Sequence, residues 1–66
     1  MVSTYRLWYT VYSEGEYRIY IKEEDEEGRL IRVYRKRVKT GRELSRKELN
    51  KIIKKVIEEI CSTRQD

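Results

Sequence analysis

Residues 17–23 read Tyr17-Arg18-Ile19-Tyr20-Ile21-Lys22-Glu23, and their reading decides the fold. Apolar and polar residues alternate with period two, as in a half-buried β-strand. Successive strand side chains point opposite ways, so Tyr17, Ile19 and Ile21 share one face and Arg18, Tyr20 and Lys22 the other. An amphipathic strand needs partners beside it and a layer to cover its apolar face.

Working outward, turn signals bound this run on both sides. Upstream, Ser13, Glu14, Gly15 and Glu16 form a turn. Before them, residues 4–12 are rich in aromatic and β-branched types, which suit a pleated surface. Downstream, the acidic run Glu23 to Glu27 ends at Gly28, and residues 29–38 alternate again. The expected sheet is an antiparallel meander with strands at about 4–12, 17–23 and 29–38.

A basic connector, Lys39 to Glu43, leads to Ser45, a helix N-cap. Glu48 stands three residues on and completes a capping box; Leu44 and Leu49 form the hydrophobic staple around it. Leu49, Ile52, Ile53, Val56, Ile57 and Ile60 recur at helical spacing and make one apolar stripe. The helix is expected from about Arg46 to Cys61, with a frayed tail from Ser62 to Asp66. The fold class expected is α+β: three antiparallel strands packed on one C-terminal amphipathic helix, in a single domain spanning residues 1–66.

Strict alternation sorts the strand residues. Tyr5, Leu7, Tyr9 and Val11 of the first strand, Tyr17, Ile19 and Ile21 of the second, and Ile31 and Val33 of the third are expected under the helix. One helix covers one face. The other is expected to expose Arg6, Trp8, Thr10 and Tyr12, then Arg18, Tyr20 and Lys22, then Arg32, Tyr34 and Lys36, flanked by Leu30 and Val38.

Cations interleaved with aromatic rings suit nucleic acid. Arg and Lys neutralise phosphates and release counterions. Aromatic rings stack on unpaired bases, and Arg reads guanine edges. Arg35, Arg37, Lys39 and Arg42 stand ready to clamp a backbone beside the sheet. The alternative is a protein-interaction module or inhibitor, with the same face forming a homodimer or partner interface, since Trp, Tyr and Arg also favour such interfaces.

Composition narrows the classes. Sixteen Lys and Arg oppose twelve Asp and Glu, and five of the acids lie in the run 23–27. The basic remainder favours a polyanionic partner over a membrane. There is no His, and Cys61 is the only cysteine. No nucleophile elbow, phosphate loop or metal-ligand spacing is present, so no enzyme, cofactor or small-molecule substrate is expected. No apolar run is long enough to span a membrane or form a signal core, which makes a reducing, cytoplasmic location the expectation. Abundant Glu, Lys and Arg with one Asn, one Gln and one Met follow the trend of hyperthermophile proteins, archaeal or viral.

The order strand, tight turn, strand, charged turn with glycine, strand, Ser-started helix is carried by Tyr12 to Gly15, Tyr17 to Lys22, Gly28 to Tyr34 and Ser45 to Ile60. In outline it resembles the arm-binding domains of tyrosine recombinases and the plant ethylene-response-factor domain. That resemblance implies a sheet lying in the major groove of DNA, backed by the helix, with Arg18, Tyr20, Arg32 and Tyr34 as readers. The long acidic turn departs from a DNA-facing loop.

Overall fold

The computed structural model describes residues 3–63. Strands β1 (Thr4–Ser13), β2 (Glu16–Glu24) and β3 (Leu30–Lys39) precede one helix, α1 (Arg46–Thr63). The sheet is an antiparallel meander in the order β1-β2-β3. The α+β architecture is therefore the expected one, with element ends shifted by one or two residues. The helix runs two residues beyond Cys61, and the Thr63 hydroxyl donates to the Glu59 carbonyl at 2.9 Å. Residues 64–66 of the expected frayed tail lie outside the described residues.

Tyr17, Ile19 and Ile21 of the central strand pack with Ile53 and Val56 of the helix to form the buried core. Leu44 and Leu49, the staple pair, lie half-buried against it. The capping box is formed in full: Glu48 N–H donates to Ser45 Oγ at 3.2 Å, and Ser45 N–H to Glu48 Oε1 at 3.1 Å. Two donors that the first helical turn would leave unpaired are thus satisfied.

The turn between β1 and β2 has positive φ at both central residues, Glu14 (51°) and Gly15 (76°). This matches the type I′ turn whose twist suits a two-residue hairpin. The Gly15 carbonyl accepts from Thr40 N–H at 3.0 Å and Gly41 N–H at 2.9 Å, tying the hairpin to the connector before α1. Tyr17 adds a second tie, since its hydroxyl accepts from Leu44 N–H at 2.9 Å.

The first three residues of the acidic run take three different roles. Glu23 is 3% exposed on the helix side and accepts from the Tyr34 hydroxyl at 2.8 Å. Glu24 turns to the other face. Asp25 organises the turn itself: its Oδ1 accepts from the N–H groups of Glu27 and Arg29, each at 2.9 Å. The Arg29 N–H bond, the first of several, holds the Asp25 carboxyl below its usual range.

Two bulges correct the expected sorting of faces. In β1, Leu7 lies opposite Ile21 but Tyr9 lies opposite Tyr20, so Trp8 is an extra residue. In β3, Arg32 lies opposite Glu23 but Leu30 opposite Glu24, so Ile31 is extra. A one-residue insertion exchanges the sides of all that follows. Tyr5, Leu7, Thr10 and Tyr12 therefore share the helix side with Tyr17, Ile19 and Ile21, while Tyr9 and Val11 leave it. Across β3, Tyr34 opposes Ile21 and Val38 opposes Tyr17, placing Arg32, Tyr34, Lys36 and Val38 on the helix side. Ile31 and Val33, expected in the core, are 45% and 38% exposed on the opposite face.

Candidate nucleic-acid interface

The face away from the helix, here the open face, has no layer over it among the described residues. Its chemistry follows from strand pairing. Arg6, Tyr9 and Val11 of β1 oppose Lys22, Tyr20 and Arg18 of β2. Those in turn oppose Val33, Arg35 and Arg37 of β3. Glu16 and Lys39 close one end of the face, and Glu24 and Leu30 the other.

An aromatic cluster stands at its centre. The rings of Tyr9 and Tyr20 stack with centroids 4.4 Å apart and planes 18° from parallel. Trp8 meets Tyr9 edge-on, at 5.5 Å and 80°. Consecutive residues of a regular strand point to opposite sides, so this contact puts both on the open face and follows from the bulge. Trp8 is 50% and Tyr9 44% exposed. Sheet side chains stand roughly perpendicular to the sheet. Two rings stacked across neighbouring strands therefore stand upright and offer water their edges.

Six cations surround this cluster: Arg6, Arg18, Lys22, Arg35, Arg37 and Lys39. Two carboxylates answer them. Glu24 pairs with Arg6 at 2.7 Å and Lys22 at 3.6 Å. The Arg6 hydrogen bond, foremost, lowers the Glu24 pKa. Glu16 pairs with Arg37 at 3.4 Å. Arg18, Arg35 and Lys39 have no carboxylate within 4 Å among the described residues. A shallow cleft of about 610 Å³ opens at the hairpin end, between Arg18, Arg37, Lys39 and the Gly15 turn.

The expected site residues thus divide. Arg6, Trp8, Arg18, Tyr20, Lys22, Arg35, Arg37 and Lys39 come together on the open face. Tyr12, Arg32, Tyr34 and Lys36 do not. Tyr12 packs on Tyr17 with centroids 4.8 Å apart, and Tyr34 faces Tyr5 at 6.1 Å, both under the helix. Lys36 lines a hollow with Lys55 and Glu58 of α1. The helix backbone comes closest to β1, which leaves Arg32 and Lys36 exposed at the far side of the same layer. Arg42 sits at the helix N-terminus, bonded to Glu48 Oε2 at 3.0 Å. This pairing raises the Arg42 pKa and is the foremost of the bonds that lower Glu48 to about 2.

Tyr9, Val11, Ile31 and Val33 are the face residues that strict alternation misses. Among the described residues no cluster of His, Cys, Asp or Glu is placed to hold a metal ion, and no helix is long and apolar enough to cross a membrane. Comparison with protein-family models, with curated proteins and with solved structures found no match.

Proposed function

We propose that the chain binds nucleic acid through the open face. The observation that carries this reading is the Trp8–Tyr9–Tyr20 cluster ringed by six cations and two carboxylates. Arg18, Arg35 and Lys39 are free to neutralise phosphates, and each such contact releases counterions. The upright tyrosine edges suit a groove or a backbone, while Trp8 has a ring free to stack on a base. DNA is the first partner to test, as the architectural resemblance implies, and the chain would act as a small regulator or architectural factor.

The second reading, an acidic protein partner, is favoured by Val11, Leu30, Ile31 and Val33. These aliphatic side chains are 38–56% exposed and contribute nothing to phosphate binding. A homodimer packed open face to open face is opposed by charge, because it would set two cationic surfaces against each other.

Trp8 is the only tryptophan, so its fluorescence reports on this face alone. Titration with DNA and RNA oligonucleotides should change that emission, and affinity should fall linearly with the logarithm of salt. Emission unchanged by any oligonucleotide at low salt would sink the nucleic-acid reading.

A further inference from the structure

We infer that β1 is a dimerisation edge: two copies join by antiparallel β1–β1 pairing over Tyr9–Ser13. Among the described residues the sheet has two unpaired edges, and they differ in kind. β3 carries Arg32, Arg35, Lys36, Arg37 and Lys39, the charged edge that resists strand addition. β1 carries one charge in ten residues, Arg6, and that charge is already paired with Glu24.

Exposure points to a missing lateral neighbour. Leu7, Trp8, Tyr9 and Val11 are all exposed, at 39–50%. Leu7 looks to the helix side and the other three to the open face. A layer lying over one face would leave the other uncovered, whereas a strand alongside covers residues on both.

The bulge at Trp8 selects the segment. It breaks the ladder in the first half of the strand, leaving Tyr9-Thr10-Val11-Tyr12-Ser13 in unbroken register and uncharged. Centred on Val11, two-fold pairing sets Tyr9 against Ser13, Thr10 against Tyr12 and Val11 against its own copy. Pairing β3 with β3 would bring five cations against five. Pairing β1 with β3 is heterologous and propagates without closing. Only β1 with β1 closes at two copies free of like-charge repulsion. The result is a six-stranded sheet with two aromatic clusters on one continuous open face. This pairing is independent of nucleic-acid binding.

The test is mass in solution, without nucleic acid, by light scattering on a sizing column up to millimolar chain. The full chain should show twice its 8.1 kDa. Val11→Lys should give the single mass with the circular dichroism of the parent, and Val33→Lys, the matched change on β3, should leave the dimer intact. A second measurement avoids new charge. In a Cys61→Ser background, Val11→Cys should crosslink to its own copy on oxidation and Val33→Cys should not. Cα atoms across an antiparallel pair lie about 4.5–5.5 Å apart, within the range of about 4.4–6.8 Å that a disulfide spans. A monomer at every concentration, a Val11→Lys dimer, or equal crosslinking of both cysteine variants would overturn the inference.

Discussion

The Gly15 carbonyl oxygen lies 2.9 Å from the Gly41 nitrogen, and a Cβ built on Gly15 would stand 3.3 Å from Gly41 Cα. Hairpin and connector therefore meet backbone to backbone, and a Cβ on Gly15 fits only if Gly41 yields by a few tenths of an ångström. Gly15 also has φ of 76°, which costs an L-residue ~1–2 kcal/mol. Gly28, with φ of 83°, has nothing within 4 Å of its Cβ position. Gly15→Ala should thus destabilise more than Gly28→Ala, by on the order of 1 kcal/mol from overpacking. Urea denaturation of the two variants measures the difference, and equal losses would mean that the contact is unimportant.

Tyr17→Phe isolates the second tie. It keeps the ring in the core but removes the oxygen that accepts from Leu44 N–H. A half-buried amide left without its acceptor costs ~1–3 kcal/mol. The Leu44 amide should also exchange its hydrogen faster than in the parent, while the amides of β2 stay protected.

The helix start should be acid-sensitive. Glu48 is lowered to about 2 from an ordinary 4.5, first by Arg42 and then by the Ser45 bonds. A carboxylate depressed on folding stabilises fully above its unfolded pKa, and the gain is lost as pH falls through the folded one. The stability advantage of the parent over Glu48→Gln should therefore be present at neutral pH and vanish between about pH 4.5 and 2. Thermal melts followed by helix dichroism test this. Glu24 and Asp25, also lowered, titrate in both proteins and cancel in the difference.

The two faces of β3 make opposite forecasts for binding. Arg35 lies on the open face, opposite Tyr20, and Lys36 on the helix side, opposite Ile19. Arg35→Ala should weaken oligonucleotide binding and reduce the salt slope by about 1. Lys36→Ala should leave the slope unchanged. The reverse result would restore the face assignment that strict alternation gives and remove the support for the site described above.

Most of the fold was legible in the sequence because its signals are local. Ser45 and Glu48 mark the helix start, Gly15 and Gly28 the turns, and the Ile19–Ile21 alternation the central strand. The side each edge strand shows was less legible. In β1 both alternating sets, Tyr5-Leu7-Tyr9-Val11 and Trp8-Thr10-Tyr12, have β-forming side chains, so pattern alone gives no preference. In β3, Ile31 and Val33 read as core. Yet the longer-range packing of Val38 and Tyr34 against Tyr17 and Ile21 fixes the opposite side. A bulge has no composition of its own, and Trp8 and Ile31 became visible as insertions only once the pairing was known. Arg18, Tyr20 and Lys22 kept their expected side because β2 needs no bulge to be read.

Both insertions share a further property. Trp8 and Tyr9 emerge side by side on the same surface, and so do Ile31 and Leu30. Each outer strand thereby contributes one more large side chain to that surface than its length would permit. Excising either extra residue would leave every remaining neighbour pointing as it does now, with the hydrophobic interior undisturbed. The molecule thus carries two detachable fittings, an indole and a sec-butyl group, whose identity can be changed without renegotiating the rest of the chain.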